Sequence, residues 1–232
     1  MSKDKHKNGV GIVIDKHLKD SVVTITRKGE WIISVKLVIG ESIVNIISTY
    51  VSLVGLDDLI KEQFWEQMDD VVQAIPFGEK LFIRGDFNGH VGVHKQGYEK
   101  VHGGFGFGDL NEGGRRILDF AVAFDLIVEN TLYRKQKEHL ITFKSGANGS
   151  QIDYFLARGA NRLTCKDCKG LRGEKLEVFK ERMSQEVQWG VEGDSDNMWN
   201  TIADDIRRIS KEVLGELKGK CPISKETLWW NA

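Results

Sequence analysis

The chain has 232 residues, of which 41% are hydrophobic and 29% charged, and its formal net charge is -1. That length suits one large domain or one domain with an appendage, and only 2 prolines argue against long disordered linkers. With charge so balanced, nothing global pulls the chain onto nucleic acid or an anionic membrane, so any such binding needs a local basic patch or a bound cation. The 3 cysteines, Cys165, Cys168 and Cys221, speak against a secreted disulfide framework and favour a reducing, intracellular setting, nuclear or cytoplasmic. The opening "MSKDKHKNGVGIVID" has no apolar run long enough for a signal peptide or a membrane span, so no membrane partner is expected. Oligomeric state leaves no mark in the sequence.

In chain order, "VGIVID", "SVVTITRKG", "WIISVKLVIG" and "SIVNIISTYV" are short β-branched runs broken by Gly, Lys and Asp, the pattern of a β-meander. "LDDLIKEQFWEQMDDVVQAI" then spaces Leu59, Ile60, Phe64, Met68, Val71 and Val72 on one helical stripe, with acidic residues at its start that complement a helix N-terminus. It feeds the strand "KLFIRGDF". The glycine-rich run from Gly85 to Gly114 cannot hold regular structure for long and reads as a long functional loop. "NEGGRRILDFAVAFDLIVEN" carries a second stripe at Ile117, Phe120, Ala121, Phe124 and Leu126, and "LIVENT", "HLITFKS" and "SQIDYFLAR" read as closing strands. This alternation predicts an α/β sandwich. Beyond Arg158 the texture changes: "EKLEVFKERMSQEVQW" and "MWNTIADDIRRISKEVLGELKGK" are charged and amphipathic, so a boundary is expected near Gly170 and helices after it.

Chemistry concentrates in two places. In "RGDFNGHVG", Asp86 and Asn88 occupy alternate positions of an extended run and would point to one side, where two hard oxygen donors suit Mg²⁺ or Mn²⁺. The competing reading is an ordinary Asp/Asn/Gly turn. In "SQIDYFLAR", Asp153 is a carboxylate inside an apolar run, where burial costs several kcal/mol unless the charge is paired or ligated; the alternative is an Asp at a strand start, at the water line. Tyr50, closing "VNIISTY", would sit at a strand end where a phenol can donate to a phosphate, or pack in the core.

Taken in this order, the strand ending in Tyr50, "GDFNGHVG", "VHGGFGFGDLNEGG", "ILDFAVAFDL", "HLITFKSG" and "SQIDYFL" resemble the endonuclease/exonuclease/phosphatase superfamily. More narrowly, they resemble the apurinic/apyrimidinic-endonuclease-like domain of non-LTR (LINE-type) retrotransposons, over roughly Asn8 to Lys169. The resemblance implies a four-layered α/β sandwich of two packed mixed sheets, truncated at both ends, with residues 8–169 forming an incomplete domain and 170–232 a helical linker of the kind that precedes a reverse transcriptase. It implies divalent-metal-dependent hydrolysis of DNA phosphodiesters, with Mg²⁺ or Mn²⁺ as the cofactor and no small-molecule cofactor. Asp86 would activate or position the attacking water and, with Asn88, hold the metal; Asn88 would also hold the phosphate or the water, Tyr50 would touch the phosphate, and Asp153 would orient a catalytic His.

Two departures follow. The family's metal-binding Glu, in a motif resembling "QET", has no counterpart before "KNGVGIVID". The closing segment with its His is expected soon after "CKDCKG", yet Lys169–Arg172 runs directly into "GEKLEVFKERM" and reads as an internal deletion. The expectation is an impaired endonuclease; the alternatives are a non-catalytic remnant that binds nucleic acid or protein, and a phosphoesterase of the same superfamily. His90, His94 and His102 are expected to face solvent or a substrate edge and not to replace the missing His. "CKDC" reads as two surface thiols, "HGGFGFG" as a flexible loop beside a DNA groove, and "YRKQK" and "RGANRLTCKDCK" as basic clusters open to phosphate.

Overall fold

The structure, a computed structural model, describes residues 10–50, 57–146, 148–160, 168, 173–187 and 195–214. These fall into two compact units, one ending by Gly170 and the other starting at Leu171.

The first unit is built on a six-stranded mixed sheet in the order β1-β2-β3-β4-β8-β5. Strands β1 (Val22–Lys28), β2 (Ile32–Ile39) and β3 (Ser42–Tyr50) form an antiparallel meander. Its second turn carries Gly40 at φ 58, a left-handed conformation that glycine adopts without a Cβ clash. Strand β4 (Lys80–Asp86) runs parallel to β3, which demands a crossover, and helix α1 (Asp58–Gln73) supplies it. Asp57 caps that helix, its side chain accepting from the Leu59 N–H at 3.2 Å. Helix α2 (Glu112–Ala123) is capped likewise by Asn111, which accepts from the Gly114 N–H at 2.8 Å. Strand β5 (Leu126–Val128) and strand β8 (Asp153–Arg158) complete the sheet, and β6 (Phe143–Ser145) with β7 (Asn148–Ser150) makes a separate two-stranded sheet. A six-stranded mixed sheet, a second sheet and helices are consistent with the α/β sandwich expected from sequence.

Strand alternation sends two sets of residues to opposite faces. One face joins α1 and α2 in the main core: Ile47, Leu81, Ile83, Tyr154 and Leu156 pack with Phe64, Trp65, Met68, Ile117 and Leu118. Each large side chain buried there contributes about 1.5–3 kcal/mol relative to exposure. The opposite face gathers Val35, Leu37, Val44 and Ile46, with Phe82, Ile12 and Ile14 against them.

Three local readings differ from the sequence. Val10–Asp15 forms no strand; Ile12 and Ile14 pack as irregular chain on the second face, and Lys16–Ser21 is a 3₁₀-helix. Leu59 is 72% exposed, because the buried stripe of α1 runs through Phe64, Trp65, Met68 and Val72 and takes in Trp65 instead. Leu126 leaves the helical stripe to begin β5.

The second unit pairs α3 (Gly173–Glu186) with α4 (Ser195–Leu214) around Phe179, Val187, Ile202 and Ile209. Ion pairs brace it: Arg182 binds both Glu186 and Glu212, the latter at 2.7 Å, and Arg208 reaches Glu186 at 2.8 Å. Arg182, then Arg208, hold the Glu186 carboxyl down to about 2. No described helix is long and apolar enough to cross a membrane.

Candidate functional site

The β3–β4–β8 registers place three of the four expected site residues in one row. Tyr50 stands opposite Asp86 on the parallel side, and Asp86 stands opposite Asp153 on the antiparallel side. With neighbouring strands about 4.8 Å apart, these side chains lie abreast on the face turned away from the main core. All three are half-buried at strand ends. Tyr50 ends β3 and Asp86 ends β4, while Asp153 opens β8, so its carboxylate sits at a strand start and not in the middle of an apolar run.

Asn88 reaches this neighbourhood by a different route from the one the sequence suggested. The strand stops at Asp86, and Asn88 adopts a left-handed φ of 48. Asp86 Oδ1 accepts from the Asn88 N–H at 2.9 Å, so the pair forms an Asx-type turn and the period-two argument does not reach Asn88. Asn tolerates the left-handed region better than most residues. The turn reading and the site reading therefore coexist: the turn is what swings the chain from the strand into the glycine-rich loop.

Backbone packing holds the row in place. A Cβ on Gly85 would come within 2.2 Å of the Thr49 carbonyl, so only glycine lets β4 lie this close to β3 just before Asp86. Two buried side chains grip Asp153 through its backbone: Thr142 Oγ1 accepts from the Asp153 N–H at 3.2 Å, and the Asn130 amide donates to the Asp153 carbonyl at 3.4 Å. Asn130 Oδ1 also accepts from the Phe155 N–H at 2.7 Å, imitating a further strand beside β8. Beneath the row, the Tyr154 hydroxyl donates to the Gln151 carbonyl at 2.7 Å and accepts from the Val91 N–H at 3.2 Å. Burial, above all, raises the Tyr154 phenol well beyond its ordinary value, so it stays neutral and structural. Neither Asn130 nor Thr142 carries a one-dimensional signal that would reveal its grip on Asp153. Arg84 does: it lies two residues before Asp86 on the same strand, and alternation puts it on the same face.

The glycine-rich loop is bound to the body of the unit. His102 is 1% exposed; its Nδ1 accepts from the Gly104 N–H at 3.0 Å, which leaves Nε2 to donate to the Gly92 carbonyl at 3.1 Å. Burial lowers its pKa and keeps the ring neutral. His102 thus clamps loop to loop and does not face solvent as expected, because the loop folds back on itself around Val91 and Val101. His90 is half-buried and His94 exposed. Some described members of the basic clusters have partners within the fold. Lys135 lies over the Tyr133 ring and Lys137 over Phe107, at 5.7 and 5.5 Å. Arg158, 3% exposed, donates to the Pro76 and Glu79 carbonyls at 2.7 and 3.2 Å instead of opening to phosphate. Cys168 is half-buried and in no disulfide, whereas Cys165 and residues 169–172, with the junction expected there, lie outside the described residues.

A divalent metal held wholly by protein needs several hard donors converging on one point, whereas Mg²⁺ keeps several waters and takes one or two carboxylates. Among the described residues, no group of three or more His, Cys, Asp or Glu side chains converges in this way. The row offers two carboxylates, one oxygen of which already accepts from the Asn88 N–H, and it shares its face with the Arg84 guanidinium. The hard oxygens of the row would suit a Mg²⁺ or Mn²⁺ that keeps several of its waters.

No family model matches the chain. The solved structures it is similar to are endonuclease/exonuclease/phosphatase proteins. The endonuclease domain of TRAS1, a telomere-specific non-LTR retrotransposon, is 13% identical at TM-score 0.42, over 59% of this chain and 56% of that one. An AP endonuclease from Archaeoglobus fulgidus is 18% identical at TM-score 0.44, over 63% of this chain and 61% of that one. Among curated proteins, the chain is similar to craniofacial development protein 2: 28% identical to that of Bos taurus over 189 residues, and 27% identical to that of Tragulus javanicus. Each match covers 78% of the chain, which spans about a third of the length of these relatives, 32% and 33%.

Proposed function

We propose that this chain is a DNA-directed phosphodiesterase domain of endonuclease type whose hydrolytic power is weakened. A fold of the endonuclease/exonuclease/phosphatase type supports a nuclease or phosphoesterase-like function, and the observation that carries the reading is the row Tyr50–Asp86–Asp153 at the ends of three paired strands. In this reading the Tyr50 hydroxyl donates to a phosphate oxygen and Asp86 aligns an attacking water. Asn88, swung out by its turn, steadies the phosphate through its amide, and Asp153 sets the local field. Hydrolysis of a diester also needs positive charge where the transition-state oxygens grow more negative. Beside the row that charge comes from Arg84, on the same face of β4, and from any metal that joins it, so slow turnover is expected.

The test is nicking of supercoiled plasmid in Mg²⁺ and, separately, in EDTA. Slow nicking by the wild type that falls about a hundredfold in Asp86→Ala and clearly in Asn88→Ala supports the enzyme reading. No nicking, or equal nicking by all three proteins, sinks it. A second reading, a non-catalytic module that holds nucleic acid on the same scaffold, is favoured by the lack of a three-ligand metal group among the described residues. Salt-sensitive binding of duplex DNA, measured by fluorescence anisotropy and equal in wild type and Asp86→Ala, distinguishes it.

A further inference from the structure

The glycine-rich run that leaves Asn88 folds back on itself, and one side chain ties its two arms together. The returning arm is anchored to the body of the unit. There the Val101 carbonyl accepts from the Val128 N–H at 2.9 Å, the Gly103 N–H donates to Thr131 Oγ1 at 2.8 Å, and the Phe105 N–H donates to the Thr131 carbonyl at 3.0 Å. The outgoing arm is pinned at His90 and Val91, whose N–H groups donate to Asn111 Oδ1 at 2.9 Å and to the Tyr154 hydroxyl at 3.2 Å. Between these anchors lies the buried ring of His102. Its Nδ1 accepts from the Gly104 N–H at 3.0 Å and its Nε2 lies 3.1 Å from the Gly92 carbonyl, so the neutral form protonated on Nε2 satisfies both nitrogens. The backbone is shaped around this ring: a Cβ on Gly106 would collide with the Gly92 carbonyl and stand 3.2 Å from Nε2.

This bonding selects the uncharged ring. A second proton can enter only at Nδ1, where it turns an acceptor into a donor facing the Gly104 N–H and leaves a buried imidazolium with one hydrogen bond lost. Burial, above all, weighs against that proton; the Gly92 carbonyl favours it and the Lys95 ammonium opposes it. Titratable neighbours on the elements packed here are Tyr98, Glu129 and Tyr154. The Tyr98 carbonyl accepts from the His102 N–H at 2.8 Å while its phenol donates to Asp119, Glu129 follows Val128 and is buried, and Tyr154 holds Val91. We propose that His102 is a pH-operated latch of the glycine-rich loop: the neutral ring ties Gly92 to the arm anchored on Thr131, and protonation at Nδ1 releases the chain beyond Gly92 while the sheet stays folded. The ties at His90 and Val91 do not involve the ring, so the release stops short of Asn88. The inference concerns the loop alone and stands or falls apart from the nicking result.

The experiment is amide hydrogen exchange followed by NMR on the full chain between pH 7.5 and 5.5, corrected for the intrinsic pH dependence of exchange. Once the loop is open the ring titrates near its ordinary value of about 6.5, so protection of the Gly104 N–H is expected to fall by up to about tenfold over that range. At each pH Gly104 is expected to be less protected than the Ile83 amide in strand β4, which marks an opening of the loop alone. His102→Gln, whose amide can still donate to Gly92 but does not titrate, is expected to flatten the pH dependence. Gly104 protection that does not change with pH in the wild type overturns the proposal, and that measurement stands even if His102→Gln fails to fold. Equal protection of Gly104 and Ile83 overturns it as well, since the loop would then open only with the whole unit. A pH dependence that persists in a folded His102→Gln protein, checked by circular dichroism, overturns it equally.

Discussion

The two faces of the central sheet are made by the same strands and do opposite work. Toward α1 and α2, β4 presents Leu81 and Ile83, and β8 presents Tyr154 and Leu156, all essentially inaccessible. Toward the other side the same strands present Phe82, Arg84 and Asp86, and Asp153 and Phe155, half-buried. That face is itself graded: the Phe82 and Phe155 rings stack at 5.9 Å, and the charged residues follow toward the strand ends. Alternation thus lets a charged row be assembled without breaking the apolar layer behind it. The residue pair that separates stability from chemistry is adjacent in sequence, Ile83 and Arg84.

The comparison breaks most readily at Ile83 and Asp86. Ile83→Ala leaves a cavity in the main core and is expected to cost about 2–5 kcal/mol, whereas Asp86→Ala, at a half-buried strand end where it accepts the Asn88 N–H among its interactions, is expected to cost less. Urea unfolding of both proteins measures this. Equal costs would mean that the charged face is as much a part of the folding core as the apolar one.

A smaller effect concerns the loop that leaves Asp86. His102 has its pKa lowered by burial, so the unfolded chain binds its proton more readily than the folded one. The stability this group contributes is complete above its unfolded pKa of about 6.5 and declines as pH falls from there toward the folded value. Urea midpoints between pH 7.5 and 5 are expected to decrease, and to decrease less in His102→Gln. An unchanged slope in the variant would remove His102 as the loop's clamp. The smallest effect is expected at Leu59: Leu59→Gln at this 72% exposed position changes stability by no more than about 0.5 kcal/mol, and a larger loss would mean that the surface of α1 is covered.

Much of the architecture was legible because it is local. The meander, both sheet-side helices and β4 follow from β-branched runs, helical stripes and capping residues such as Asp57 and Asn111. Val10–Asp15 misled because its apolar residues are spaced like a strand but find no partner ladder among the described residues. His102 misled because glycines on either side suggest a mobile loop, while the burial comes from contacts with Gly92 and Gly104 after the loop closes on itself. The candidate site was legible by residue type, with Tyr50, Asp86, Asn88 and Asp153 all near the end of one sheet. Its geometry was not: Asn88 turns, and Asp153 meets Asp86 from 67 residues away by sequence number.

By itself the sequence determined most of the segments that become strands and helices, and it wrote Arg84 and Asp86 onto one face of β4, because both depend on periodicity within a few residues. Only the tertiary structure decided that Tyr50, Asp86 and Asp153 stand in one row. That row depends on the register between β3, β4 and β8, which is set by long-range packing: the close approach permitted at Gly85, the grip of Thr142 and Asn130 on Asp153, and the core that fixes Ile83 against Leu156.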